Sequence, residues 1–285
     1  TYATTLVLSA FMGGLALGSR YLGALADRLE RKVSALTLYG WMEIGVGLYC
    51  LGFEQILAAQ DRLLLVLYQA FDPGRVATLA LKFSLAFVIL ILPAILMGGT
   101  LPVLIKRLGR ELSRVGEVTG RLYFVNCLGA VAGTLAVAFW MVPQLGVSLS
   151  YAVAAALNIA AGVGALALRM RGDAHDELSV PEEPPQTGPE ISAPSDTPRR
   201  LSWVLAGIFV SGLTAMVYQV AWVRLLSLVL GSSTYSFAVM VAAFISGIAL
   251  GSLIVARRME RIASPAVWFG LCQTGIGLAV LAMLP

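Results

Sequence analysis

The chain has 285 residues, of which 58% are hydrophobic and 13% are charged, and its mean hydropathy is +0.84. Soluble domains carry about a quarter charged residues, so this composition excludes an ordinary soluble protein and predicts a polytopic membrane protein. The formal net charge of +4 raises nucleic acid as a partner, but most of the basic residues lie in segments between apolar runs. Membrane orientation explains that placement, so no nucleic-acid partner is predicted.

Eight apolar runs are near the 20 residues that a helix needs to cross about 30 Å of hydrocarbon. Each run is continuously apolar and does not alternate, which predicts helices and argues against barrel strands. The predicted spans are Tyr2–Ala26, Val33–Phe53, Val76–Gly98, Gly120–Val142, Ser148–Leu168, Leu201–Trp222, Thr234–Ala256 and Pro265–Leu284.

The basic residues between the spans fall into two sets that alternate along the chain. One set is rich in Lys and Arg and comprises Arg28, Arg31, Lys32, Lys106, Arg107, Arg110, Arg114, Arg169, Arg171, Arg199, Arg200, Arg257, Arg258 and Arg261. The other set holds Arg62 and Arg75, accompanied by the acidic residues Glu54, Asp61 and Asp72. The positive-inside rule therefore predicts that the first set is cytoplasmic and that the N-terminal end of the chain faces outside.

Two segments between the spans are predicted not to cross the membrane. Residues 54–71 are apolar but interrupted by Asp61 and Arg62, which favours an interfacial or re-entrant helix. Residues 169–200 are rich in proline, serine and acidic residues, which predicts a disordered cytoplasmic linker. The linker divides the chain into a membrane half of about five spans, residues 1–168, and the start of a second half, residues 201–285, with about three.

The two halves contain a sequence repeat. The segment TYATTLVLSAFMGGLALGS, which begins at Thr1, corresponds to TYSFAVMVAAFISGIALGS, which begins at Thr234. Further on, Glu43 corresponds to Gln273 within matching glycine patterns. Both copies are predicted to cross in the same direction, which is typical of parallel repeats. A span precedes the second copy but not the first, so the chain is expected to be a fragment whose first repeat lacks its first helix and whose second is truncated.

A charged motif follows the first span and consists of Gly23, Asp27, Arg28, Arg31 and Lys32. It resembles the signature between the second and third helices of a half of the major facilitator superfamily. That resemblance implies that Asp27 caps a neighbouring helix N-terminus and helps to close a cytoplasmic gate. The alternative is an ordinary positive-inside loop. The expected fold class is therefore an all-α, polytopic transmembrane helix bundle that is major-facilitator-like.

A longer resemblance covers nearly the whole chain apart from the linker. Four segments resemble the bacterial membrane-integral spermidine-synthase-like family: the FMGGLALGS block, LPAILMGGTLPVLIK, GRLYFVNCLGAVAGTLAVAF and SGLTAMVYQVAWVRLLSLVLGSSTYSF. In that family a facilitator-like bundle is fused to a C-terminal aminopropyltransferase domain. The resemblance implies polyamine synthesis by full-length relatives and a location in the bacterial cytoplasmic membrane. Here Tyr218 is followed by Gln219, where the family usually has Glu.

The chain itself is expected to have no catalytic domain, because it lacks the alternating strands and helices and the glycine-rich turn of a nucleotide-binding domain. No catalytic, cofactor-binding or metal-binding residue is predicted, and no cofactor is expected in this fragment. The membrane bundle is expected either to anchor the enzyme or to move polyamine-like small cations. The alternative is a major-facilitator-type transporter of a small solute without an enzymatic domain.

Polar residues inside the predicted spans are the candidates for an intramembrane site. Glu43 is midway along its span with Tyr39 one turn before it, and a carboxylate there must pair, be protonated or face water. Arg20 in the adjacent span is a candidate partner, so structural pairing and a site for a substrate cation both remain open. The other polar candidates are Asn126, which also suits a hydrogen bond between helices, Gln219, and Gln273, whose lack of charge argues against two symmetric sites.

Overall fold

The computed structural model describes residues 2–29, 33–71, 74–108, 115–176, 197–258 and 264–282. Over these ranges the regular structure is entirely helical, which confirms the predicted all-α class. The helices are α1 (Tyr2–Leu29), α2 (Ala35–Leu51), α3 (Phe53–Phe71), α4 (Arg75–Leu108), α5 (Val115–Ala136), α6 (Val142–Asp176), α7 (Thr197–Leu230), α8 (Ser233–Arg258) and α9 (Pro265–Leu281). A π-helical turn, Val137–Met141, joins α5 to α6.

Five helices in the described part of the chain are long and apolar enough to cross a membrane, or up to six if α2 and α3 form one bent span. The multi-pass membrane bundle is thus supported, although eight spans were predicted. Two of the eight predicted spans are not among the five because α2 and α9, with 17 residues each, are shorter than the other membrane helices. The third missing span is explained by Val118–Met170, a single helical stretch of 53 residues that contains both the fourth and the fifth predicted spans. That length, about 80 Å, exceeds twice the hydrocarbon thickness.

The long stretch is interrupted at Gly146, where the predicted fourth and fifth spans meet. Its φ of 77° and ψ of 173° are not helical, and a side chain would be strained at this positive φ. The hydroxyl of Ser150 donates a hydrogen bond of 2.6 Å to the Gly146 carbonyl, at the start of the continuing helix. The break therefore divides the stretch into two pieces, each of about spanning length.

Close contacts at glycines fix the relative direction of α1 and α4. The Cβ position of Gly14 meets Ala94, and that of Gly18 meets Gly98 one turn further along both helices. Residue numbers rise together along the contact, so α1 and α4 are parallel. Such small residues let two helix backbones approach closely in a membrane, where packing rather than hydrophobicity drives association.

The neighbouring pairs run in opposite directions. In α2, Gly40 lies against Leu166 of α6 and Gly47 lies against Ile159, so α2 and α6 are antiparallel. The same relation holds for α2 and α4 through the pairs Gly45–Leu96 and Met42–Gly99, and for α5 and α8 through Gly120–Ala256 and Phe139–Tyr235. Each of these directions agrees with the alternation predicted from the basic residues.

Helix α3 does not add a crossing of its own to this arrangement. It follows α2 after a bend of 54° and precedes α4, and α2 and α4 are antiparallel. A complete crossing by α3 would have made α2 and α4 parallel. The geometry therefore supports the predicted interfacial or re-entrant character of residues 54–71.

Cysteine labelling tests this topology. Gln55→Cys, in the first turn of α3, and Gly74→Cys, after the end of α3, are expected to react with an impermeant maleimide from the same, outer side of sealed cells. Ser264→Cys is expected to react only after permeabilisation, because it lies beside the basic residues that precede α9. All three positions are exposed, and the native cysteines are replaced first. Labelling of positions 55 and 74 from opposite sides would mean that α3 crosses the membrane.

Two prolines lie inside α4, yet the helix continues through both. Pro93 has no N–H, so the carbonyl of Ile89, four residues earlier, loses its helical hydrogen-bond donor. The hydroxyl of Tyr49 in α2 donates to this carbonyl at 2.8 Å. A carbonyl without a hydrogen-bond donor is costly in hydrocarbon. The bond from Tyr49 supplies the donor that Pro93 lacks, and it also links α2 to α4.

The helices also extend past the predicted boundaries of the halves. Helix α6 continues to Asp176 and α7 begins at Thr197, so helix covers both ends of the predicted linker, residues 169–200. Residues 177–196 lie outside the described residues. Across the two halves, α5 of the first packs along α8 of the second, while α1, α2, α4 and α6 pack together within the first.

Candidate intramembrane site

Helix α2 carries the central pair of candidate residues, Tyr39 and Glu43. The helix begins after Ser34, whose side-chain oxygen accepts a hydrogen bond of 3.3 Å from the backbone N–H of Thr37. Tyr39 and Glu43 are one turn apart and both partly buried. The lipid-facing side of α2 is marked by Trp41, which is 61% exposed, so Glu43 lies on the opposite, bundle-facing side.

The immediate partner of Glu43 is Tyr39. The Tyr39 hydroxyl is within hydrogen-bonding reach of the Glu43 carboxylate. The Tyr39 side chain in turn packs against the buried cluster of Ala26, Met42 and Val103, where α1, α2 and α4 meet. The tyrosine is thus held by three helices and positions the carboxylate.

The predicted pairing of Arg20 with Glu43 is not formed. Arg20 is exposed on α1, and no ion pair connects the two side chains in the structure as described. The reason is helical rotation: Arg20 follows Gly18 by about 200° around the helix, and Gly18 faces α4. Arg20 therefore points away from the bundle, and Glu43 has an aromatic hydroxyl rather than a cation as its neighbour.

Gln219 is the most buried of the candidate polar residues. It is 4% exposed, and Val223, one turn later on the same face of α7, is also buried. Helix α8 is the main packing partner of α7. The Oε1 atom of Gln219 has no hydrogen-bond partner within the described ranges. A buried oxygen without a partner can accept a hydrogen bond from a donor such as a hydroxyl or an ammonium group.

Gln273 and Asn126 occupy different positions from Glu43. The Nε2 atom of Gln273 donates a hydrogen bond of 2.6 Å to the hydroxyl of Ser211, which joins α9 to α7. Asn126 is exposed on α5. Gln273 thus links α9 to α7, and only Tyr39 and Glu43 of the six candidates are brought into contact.

Three residues of the predicted gate motif lie on helix α1. Helix α1 continues to Leu29, so Gly23, Asp27 and Arg28 occupy its last two turns, and a basic residue there suits the negative end of the helix dipole. The Cβ position of Gly23 is 3.8 Å from Pro102 of α4. Arg31 and Lys32 lie outside the described residues.

The sequence analysis missed a second group of polar residues, which lie between α3 and α4. Asp61 and Tyr68 from α3 line the same cavity as Thr78 and Lys82 from α4. Lys82 lies in the first third of the predicted span Val76–Gly98, but the sequence gave no indication that α3 folds against it. That proximity depends on the 54° bend after α2.

Comparison with known proteins finds no matching family model, no matching curated protein and no matching solved structure. Among the residues that the structure describes, no group of three or more His, Cys, Asp or Glu side chains is placed to hold a metal ion.

Proposed function

We propose that this chain is the membrane part of a spermidine-synthase-like protein and that it binds a polyamine-like small cation at Glu43. One observation carries the proposal: Glu43 is a carboxylate on the bundle-facing side of a membrane helix with no basic partner in the described residues. Intramembrane carboxylates are expensive and usually serve a pair, a proton or a substrate. Without the Arg20 pair, a bound cation becomes the favoured explanation.

The chemistry of the two residues suits an alkylammonium group. A carboxylate accepts hydrogen bonds from a primary ammonium, and a low dielectric strengthens the attraction between opposite charges. The Tyr39 ring adds a negative π face to which a cation is attracted. The buried cluster beneath Tyr39 keeps its ring in place, so the site is partly organised before a ligand arrives.

The fusion to an aminopropyltransferase domain is the second part of the proposal and rests on the sequence resemblance alone. Under this proposal the bundle passes polyamine to or from the attached enzyme rather than serving only as its anchor. Anchoring by itself requires only apolar helices, whereas a carboxylate on the interior face of α2 is costly in the membrane. Glu43 therefore favours a cation-handling role over anchoring.

A secondary transporter of a small solute, without an enzymatic domain, is the alternative function. The packing of α5 along α8 favours it, because these helices come from the two halves of the chain. Their contact runs from Gly120 against Ala256 to the stacked rings of Phe139 and Tyr235, 5.2 Å apart. Halves that pack against each other through such a helix pair are suited to rocking.

Binding and uptake assays on the purified chain test the proposal. Saturable binding of labelled putrescine or spermidine to the protein in detergent is expected, and neutral sugars should not compete. Uptake into proteoliposomes beyond this binding would favour the transporter alternative, whereas binding without uptake would favour delivery to an attached enzyme. The absence of saturable binding of any polyamine would contradict the assignment of Glu43 as a cation site.

A further inference from the structure

A cavity of about 370 Å³ lies between α3 and the first turns of α4. Its walls are formed by Asp61, Leu64 and Tyr68 from α3 and by Thr78, Leu81 and Lys82 from α4. The cavity exists because α3 leaves α2 at 54° and returns over the beginning of α4. It is separate from Glu43, which lies midway along α2.

The depth of this cavity follows from the position of Lys82 in α4. The apolar part of this helix, Val76–Ile105, has 30 residues, which is about 45 Å and longer than the hydrocarbon thickness of about 30 Å. Lys82 is roughly 9 Å from the Val76 end of this stretch. Lys82 therefore lies near the level of the lipid headgroups rather than in the hydrocarbon centre.

Two opposite charges line this cavity without neutralising each other. Asp61 and Lys82 are both exposed, and they form no ion pair with each other in the described structure. Separated charges of opposite sign on facing walls are complementary to a ligand that carries both an anion and a cation. A ligand with a single charge, whether an anion or a cation, would be attracted by only one of the two residues, Lys82 or Asp61.

The apolar part of the cavity points to an amphiphile. Leu64 and Leu81 line it beside the charged groups, and α3 leaves large apolar side chains exposed, among them Leu65 at 61% and Phe71 at 75%. An exposed apolar face on an oblique helix at headgroup level is typical of a segment that contacts acyl chains. The ligand should therefore place its polar end between Asp61 and Lys82 and its apolar end against the leucines.

We propose that this cavity binds the headgroup of phosphatidylethanolamine. The lipid phosphate contacts the Lys82 ammonium, and the primary ammonium of the headgroup donates hydrogen bonds to the Asp61 carboxylate. Tyr68 borders the same space, and its amphipathic ring suits the interface. Phosphatidylcholine lacks N–H donors for Asp61, and phosphatidylglycerol lacks the cation, so both should bind more weakly.

Native mass spectrometry of the delipidated full chain, titrated with each of the three lipids, tests the proposal. Phosphatidylethanolamine is expected to bind at least fivefold more tightly than the other two. Asp61→Asn and Lys82→Gln should each remove most of this preference. The control variants Arg62→Gln and Glu54→Gln change exposed charges on the same helix that do not line the cavity, and they should keep the preference.

Equal binding of the three lipids to the wild-type chain would overturn the proposal. Unchanged selectivity in both Asp61→Asn and Lys82→Gln would overturn it as well, since a lipid bound elsewhere would be responsible. Displacement of the lipid by soluble phosphoethanolamine at a similar concentration would show that the acyl chains contribute nothing and would overturn the assignment to a lipid. Size-exclusion profiles that match the wild type confirm that the variants are folded.

Discussion

Gly18→Ala is expected to destabilise the bundle by about 1–3 kcal/mol, toward the upper end of the range for overpacking a close contact. The added Cβ would fall on the backbone carbonyl of Ile95 in α4 and beside the Cα of Gly98. A flexible side chain could move aside, but a helix backbone cannot do so without separating α1 from α4. Thermal unfolding of the purified protein in detergent, followed by loss of the monodisperse species, measures the effect.

The sequence repeat supplies a matched control for this prediction. Gly251 is the counterpart of Gly18, and an added Cβ there meets nothing within 4 Å in the structure. Gly251→Ala should leave the unfolding temperature unchanged or raise it slightly, since alanine is the better helix former by about 1 kcal/mol. Equal destabilisation by both substitutions would contradict the assignment of α1–α4 as the tight interface.

The contrast between these two glycines shows where sequence reasoning stops. The pattern Gly-x-x-x-Gly, which is typical of close helix packing in membranes, occurs at Gly14 and Gly18 and again at Gly247 and Gly251. Only the first copy meets a close neighbour, whereas Gly247 and Gly251 have none within 4 Å among the described residues. The glycine pattern permits two helices to approach closely, but they do so only where a partner helix lies against that face.

The direction in which each helix crosses the membrane could be predicted from the sequence, whereas the contacts between helices could not. Hydrophobic length and the distribution of Arg and Lys predicted the alternation, and the antiparallel pairs of α2 with α4 and α6 agree with it. The same reasoning correctly kept α3 from being a separate crossing. Length and charge act along the chain, so a single sequence reveals them directly.

The sequence did not predict how each helix is rotated about its axis, and therefore which of its faces points into the bundle. Arg20 and Glu43 are in adjacent spans, and their charges alone suggested a pair. Which face of α1 meets α4 is determined by Gly14 and Gly18, and this face excludes Arg20. Likewise, nothing in the sequence indicated that Asp61 and Lys82 line one cavity, because that depends on the angle between α2 and α3.

Glu43→Gln is expected to reduce polyamine binding at least tenfold while leaving the unfolding temperature close to that of the wild type. Glutamine keeps the volume of the side chain and can still accept a hydrogen bond from Tyr39, but it removes the charge that attracts a cation. The loss of a full charge interaction in a low-dielectric site is far larger than the loss of one neutral hydrogen bond. Equilibrium binding of labelled spermidine measures the change.

Two further variants separate a cation site from a structural role of Glu43. Glu54→Gln makes the same chemical change at an exposed position in the first turn of α3 and should bind spermidine like the wild type. Tyr39→Phe removes the hydroxyl and should weaken binding by a few-fold, since the charge of Glu43 remains. If Glu43→Gln instead lowers stability without changing the affinity of the protein that stays folded, the carboxylate serves helix packing and the proposed cation site is wrong.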